Sequence, residues 1–405
     1  MTKNLQFIAV IAVLLVAITA CSKEEGAEVI VPQPEQENSF RVSVGDALRS
    51  AEAILNSGDR ATRSVERKVK STEIYVAKPA TRSNDDVEVS FYLINYEGNA
   101  GYALVSTDKR ATPVYMYADE GNITTADLQK EGPMQILMDE AVANYEAEVA
   151  SSGTDGPIDI FVPDTLDSAR PIRIDGESYY INTDTTYVVK ENLTNAWWHQ
   201  EAPYNKYCNN KDVGCGPIAI GQIMAYHKYP ASYSGSVINW DAITSAQEFE
   251  DETDYGADET ADLLYRIGYC AGIRYFATNY ESSSISNSDA VNVFRSFGYT
   301  CTNPANFSSY TVAYEIDYNR PVFVSGYIPD DPSGHAWVID GYNKTVYTKK
   351  YYLATPPYPL SNTTTSEAIT YLKQNVGSGL SFYLYNALAE YTEDVKIITN
   401  IKPNN

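Results

Sequence analysis

From about Leu193 the chain becomes dense in Trp, Tyr and Cys, and all three of its histidines lie beyond that point. Residues able to do chemistry are therefore confined to the C-terminal half. At 405 residues the chain exceeds one ordinary domain of ~100–200 residues, so at least two folded units are expected. Hydrophobic residues make up 44% and charged residues 20%, which excludes wholesale disorder. The net charge of −23 argues against a nucleic-acid partner, because phosphate binding needs clustered Lys and Arg. With 34 Tyr beside 11 Phe, the chain suits half-exposed sheets and extracellular surfaces. Three His and five Cys leave little room for a multi-ligand metal centre, and no cofactor is expected.

Residues 1–20 read as a leader. Lys3 supplies a positive start, and Phe7 to Ile18 is an apolar run too short to span a bilayer. It closes on Ile18-Thr19-Ala20-Cys21, which resembles a bacterial lipobox, with cleavage before Cys21 and acylation of its thiol. Residues 21–39, rich in Glu, Pro and Gln, read as a flexible tether. The expected location is the cell envelope, by a lipid anchor in the membrane or by secretion after processing. Disulfides between the other four cysteines are permitted there.

Residues 40–150 read as a small α+β unit. Ala47, Leu48, Ala51, Ile54 and Leu55 repeat at helical spacing. Phe91 to Tyr96 and Tyr102 to Ser106 flank the turn cluster Glu97-Gly98-Asn99-Ala100-Gly101 and predict a hairpin. Val114 to Tyr117 adds β content, and Thr125 to Glu148 predicts helix interrupted near Gly132-Pro133. No chemistry stands out in this unit. Residues 151–190 read as a linker and activation region with short β-like runs, and 191–405 as the second domain.

Two segments carry chemistry. In Gly214-Cys215-Gly216-Pro217, Pro217 suits a first helical turn, which places Cys215 at a helix N-terminus. Free N–H groups and the macrodipole there favour a thiolate. In Gly334-His335-Ala336-Trp337-Val338-Ile339-Asp340-Gly341, His335 opens an apolar strand. A Cys and a His far apart in an exported chain make a candidate nucleophile and its base. The spacing Cys208-x6-Cys215-x11-His227 fits no common zinc site.

These residues resemble the streptopain-like cysteine peptidases, a papain-like group made with an inhibitory propeptide. The Gly101 to Pro113 segment resembles the strand and turn of that propeptide. Trp198-His199-Gln200-Glu201-Ala202-Pro203-Tyr204-Asn205 resembles the segment with the oxyanion-hole Gln. Gly214-Cys215 with its helix and Tyr229-Pro230 resembles the nucleophile segment, Gly334 to Gly341 the histidine strand, and Asn400-Ile401-Lys402-Pro403 the closing strand.

The resemblance implies an α+β fold: a small α+β prodomain, then a papain-like peptidase with a helical lobe and a twisted antiparallel sheet lobe. It implies Cys215 as nucleophile, His335 as its proton partner and Gln200 as an oxyanion donor, with Gly334 at the substrate cleft; Ser282 to Ser284 and Trp337 are further candidates for the cleft wall, the alternative being buried or surface packing. His199 and His227 are expected to be bystanders. The family's Asn-Trp-Gly-Trp-Gly run is absent; Asn375-Val376-Gly377-Ser378-Gly379 is its nearest echo, with an apparent insertion around Ala354 to Glu367. Asn375 is the expected orienter of His335, the alternative being a turn residue. Asp340, at an odd offset along the strand, is expected to face away from the ring. The implied partners are protein or peptide substrates, the chain's own prodomain as intramolecular inhibitor, and a membrane. The rival reading is an inactive peptidase-like surface protein used for binding or inhibition.

Overall fold

Helix α1 (Val44–Leu55) forms where the spacing predicts it. Ser43 caps it by accepting from the Asp46 N–H, and Ala47, Ala51, Ile54 and Leu55 are buried. Strand β1 (Val69–Val76) follows, then β2 (Ser90–Tyr96), β3 (Tyr102–Ser106) and β4 (Val114–Ala118). The expected helix is split in two. Thr124 and Asp127 build a capping box at α2 (Thr125–Leu128), and Pro133 opens α3 (Pro133–Ser151). This computed structural model describes residues 40–56, 67–77, 88–130, 133–151, 172–174, 177–280, 282–326, 334–353, 360–385 and 395–404. The leader, Cys21 and the tether lie outside the described residues.

The expected linker contains strands β5 (Ile172–Ile174) and β6 (Glu177–Lys190). Beyond it come α4 (Cys215–His227), β7 (Ser232–Tyr233), β8 (Ser236–Val237), α5 (Trp240–Ile243), α6 (Ala257–Cys270) and α7 (Asn287–Ser296). The chain continues through β9 (Tyr299–Thr300), β10 (Ala305–Asn306), α8 (Ser309–Asp317) and β11 (Val322–Gly326). It closes with β12 (His335–Leu353), β13 (Leu360–Asn375), β14 (Ser381–Tyr385), β15 (Lys396–Ile398) and β16 (Lys402–Pro403).

One 12-stranded antiparallel sheet organises residues 40–405, in the order β1-β2-β3-β4-β14-β13-β12-β11-β15-β10, with β6 beside β12 and β5 beside β6. The N-terminal unit joins the rest through β4 and β14, where Tyr117 pairs with Tyr383 and Met116 with Leu384. Cores on both sides of the sheet cross this joint. One gathers Leu137, Ala141 and Tyr145 of α3 with Leu372, Phe382 and Leu384; the other gathers Ala47, Ala51 and Ile54 of α1 with Tyr371 and Tyr383. A third core holds the helical lobe on the sheet through Phe323, Ala336 and Val338. The predicted pairing of a helical lobe with a sheet lobe is borne out.

Alternation along β12 sorts its residues between cores. Trp337 and Ile339 pack on one side, and Ala336 and Val338 on the helical-lobe side. Across from it, Asn375 pairs with Val338 and Gln374 with Ile339. The register then slips between Ile339 and Gly341, so Asp340 sits in a β-bulge.

Candidate active site

Gly214 enters α4 at φ 101°, and a Cβ on it would meet the Ser283 carbonyl oxygen at 2.4 Å. Only glycine allows that turn. It delivers Cys215 to the first position of a helix in which every residue from Gly216 to Ala225 is buried. His335 starts β12 opposite Gly326 of β11. The two elements touch at their starts, where the Ala336 N–H donates to Cys215 Sγ at 3.3 Å.

Cys215, Gly334 and His335 line one cleft of about 240 Å³. Ile285 forms part of its wall; its side chain occupies the space that a Cβ on Gly216 would need, at 2.5 Å. Ser325 Oγ donates to Asn287 Oδ1 at 2.7 Å, which ties β11 to the start of α7 beside the cleft. Sequence reasoning missed Ile285, Asn287 and Ser325, because nothing in a loop, a helix start or a short strand end signals which residue turns inward.

The thiol departs from expectation. Its place at a helix N-terminus suggests a lowered pKa, but desolvation pushes it up. The N–H groups of Ala336, Gly216 and Cys215 itself pull the other way without offsetting that. Among the described residues Cys208, Cys215, Cys270 and Cys301 are free thiols. Burial pushes the Cys208 thiol up to about 11, which makes it a poor nucleophile.

Gln200 is fixed through its backbone: the Val213 N–H donates to its carbonyl at 3.0 Å, two residues before Cys215. Its side chain is not part of the cleft lining among the described residues.

Three expectations are corrected. Asn375 does not orient His335. Its Oδ1 accepts from Gln222 Nε2 at 2.9 Å, and its Nδ2 donates to the Ala196 carbonyl at 2.7 Å and to Thr194 Oγ1 at 3.2 Å. The reason is register: it pairs with Val338, at an odd offset from His335, so it faces the helical lobe. Trp337 is fully buried in the sheet core, its indole N–H donating to Gln374 Oε1 at 2.7 Å, and does not form cleft wall. Ser282 is exposed outside the lining, whereas Ser284 and Ile285 reach it. Asp340 faces Thr194, whose N–H and Oγ1 both donate to its Oδ2. Burial pushes its carboxyl up to about 6, against the pull of Lys373 and of the Thr194 bonds.

The other two histidines lie away from the cleft. Desolvation pushes His227 down to about 4, and its ring packs edgewise on Tyr226. His199 is also lowered by desolvation and sits edgewise on Tyr204. Its Nε2 is 3.9 Å from Glu248, a contact that is weak while the ring is neutral. His199→Ala and His227→Ala should each keep kcat within about threefold of wild type. His227→Ala should also lower Tm, because it opens a cavity. Hydrolysis rates beside thermal melts check both.

A free thiol at a helix start and a histidine at a strand start, joined by one backbone contact in one cleft, define a cysteine-nucleophile hydrolase. Residues 198–353 match the Peptidase C10 family, and residues 39–144 match the Spi protease inhibitor family. The chain carries a C10, streptopain-family peptidase domain behind an inhibitory propeptide domain: it is a cysteine endopeptidase built as a zymogen. Among solved structures it is similar to a mutant fragment of prointerpain A from Prevotella intermedia. The two share 15% identity over 83% of this chain and 100% of that one, with a TM-score of 0.51, a likeness of fold. No curated protein matches the chain.

Proposed function

We propose that this chain is a cell-envelope enzyme whose Cys215 and His335 hydrolyse peptide bonds of protein or peptide substrates, and that the prodomain holds them silent until it is cut away. The observation that carries this reading is the bond from Ala336 N–H to Cys215 Sγ, which sets the histidine strand against the nucleophile. In the processed enzyme the Cys215 thiolate attacks the scissile carbonyl carbon, and the carbonyl π electrons move onto oxygen. The Cys215 N–H donates to that oxyanion, and the Gln200 amide, outside the cleft lining in the full-length chain, joins it in the processed enzyme as the resemblance implies. The C–N bond then breaks as the His335 imidazolium gives its proton to the leaving amine. Water, deprotonated by His335, opens the thioester and returns the carboxylate product and the thiolate. Gly334, in the cleft lining, offers backbone to an extended peptide.

Burial disfavours the Cys215 thiolate in the full-length chain, and the thiol form is a weak nucleophile. Treating processed protein with a thiol-directed peptidase inhibitor and mapping the adduct tests the assignment. Modification elsewhere than Cys215, with activity lost, overturns it.

The lipobox-like Ile18 to Cys21 supports a lipid anchor in the membrane. Cys21→Ser should move the full-length protein from the detergent phase to the aqueous phase of a detergent partition. Equal partitioning of the two forms rules the anchor out.

A further inference from the structure

Gln222 is the one polar side chain in an otherwise apolar run from Gly216 to Ala225, and it is fully buried. Its Nε2 donates to the Ala196 carbonyl and to Asn375 Oδ1, both at 2.9 Å. Asn375 donates onward to Thr194 Oγ1, and Thr194 donates to Asp340 Oδ2. Gln222, Asn375, Thr194 and Asp340 are each at most 1% exposed. The chain of bonds has a fixed direction, since each amide or hydroxyl donates towards the carboxylate.

The network begins and ends on the two catalytic elements. Gln222 lies seven residues after Cys215, so it is ~10 Å further along α4 and on nearly the same face. Asp340 lies on β12 five residues after His335, in the bulge. Between these ends Ala336 and Val338 pack towards the helical lobe. The spacing between helix and strand is therefore fixed at two levels, by the Ala336–Cys215 contact at the cleft and by the polar network beneath it.

The network is not fully satisfied. Among the described residues Gln222 Oε1 and Asp340 Oδ1 have no hydrogen-bond partner. A buried polar atom without a partner costs about 1–3 kcal/mol, which offsets part of what the Gln222 bonds to Ala196 and Asn375 contribute. Departures from local packing rules concentrate at functional sites.

We propose that Gln222 is a positioning residue for the peptidase reaction: through Asn375, Thr194 and Asp340 it sets the alignment of Cys215 with His335. This rests on the reading of Cys215 and His335 as the catalytic pair. Asp340 and Lys373 are the charged groups beside the network, and both stay unchanged in the test.

The test uses Gln222→Met, which keeps the volume and deletes both donors, and Thr194→Val, which deletes the hydroxyl, with Thr194→Ser as its conservative control. Each full chain is matured by a tagged wild-type copy that is then removed. Peptide hydrolysis and the pH profile of Cys215 alkylation by iodoacetamide are measured. Gln222→Met and Thr194→Val should lower kcat about ten- to a hundredfold with KM nearly unchanged, since small misplacements of reacting groups have effects of that size. Their alkylation profiles should shift to higher pH, because a misaligned imidazolium holds the thiolate less well. Thr194→Ser should match wild type.

In a His335→Ala background Gln222→Met should shift the alkylation profile no further; an added shift would mean that it acts by another route and overturns the proposal. If His335→Ala alone leaves hydrolysis and alkylation at wild type, the catalytic-pair reading itself falls. If His335→Ala disables the enzyme while Gln222→Met and Thr194→Val behave as wild type, only the positioning role falls. Failure of both variants to fold also overturns it, because the network would then serve the fold.

Discussion

Cys215→Ala will leave the full-length chain unshortened under conditions where wild type matures, and the chain matured in trans will lose peptide hydrolysis by a factor on the order of 10⁴ or more. Removing the sulfur removes the atom that forms the acyl intermediate, and among the described residues no other cysteine lines the cleft. Cys208 is buried with its thiol pushed up to about 11. His335→Ala should cost a similar factor by removing the proton carrier. The pH dependence has a definite sign. In the full-length chain the Cys215 thiol is raised by desolvation, so its alkylation should be slow at neutral pH and climb above the range of an ordinary cysteine. After maturation the profile should move to lower pH as water and the imidazolium reach the sulfur. Gel analysis of processing, initial rates on a peptide substrate and iodoacetamide alkylation against pH measure all three. A shortened or hydrolytically competent Cys215→Ala chain removes Cys215 from the mechanism.

The second large effect concerns where the mature enzyme begins. A chain that starts at Glu191, co-expressed with residues 1–151, should yield more than about tenfold less soluble peptidase than one that starts at Ile172, as expected when several kcal/mol are lost from a fold stable by only 5–15. Strand β6 pairs with β12 in unbroken register from Lys190 opposite Tyr342 to Tyr179 opposite Leu353. At about 0.5–1.5 kcal/mol per net hydrogen bond, stripping that partner costs several kcal/mol. It also leaves the outer half of β12 with β13 alone. The activating cut is therefore expected upstream of β6, with β6 staying on the peptidase although it precedes the C10 match at 198. Soluble yield and mass spectrometry of the naturally matured N-terminus measure this. A mature chain beginning at or beyond residue 191 refutes it.

Much of the architecture was legible because its signals are local. Helix α1, the β2–β3 hairpin and the split between α2 and α3 follow from spacing, turn residues and Pro133. The start of α4 follows from Gly214 and Pro217. Long-range pairing was not legible. The apparent insertion around Ala354 to Glu367 lies within the β12–β13 hairpin, whose Thr, Tyr and Lys residues show no clean alternation, and the strand that completes it, β6, lies about 150 residues earlier in the chain. At the site, Cys215, His335 and Gly334, expected together, line one cleft. Sequence reasoning failed at Asn375 and Trp337 for one reason: both faces of β12 and β13 are buried here, so composition does not reveal which core a residue enters. The register does, and it sends Asn375 to the helical lobe and Trp337 to the opposite core.

The joint between β4 and β14 has a consequence for the life of the mature enzyme. While the two strands pair, Tyr117 stacks on Tyr383 at 4.8 Å, and α1 and α3 cover the two sides of the junction. Once the N-terminal unit departs, β14 becomes an edge strand with unpaired backbone groups, and the residues flanking it lose their apolar cover. An edge of that kind recruits other strands, which is how soluble proteins begin to aggregate. The zymogen should therefore stay dispersed longer than the released peptidase, because the cut that frees the enzyme also bares this edge.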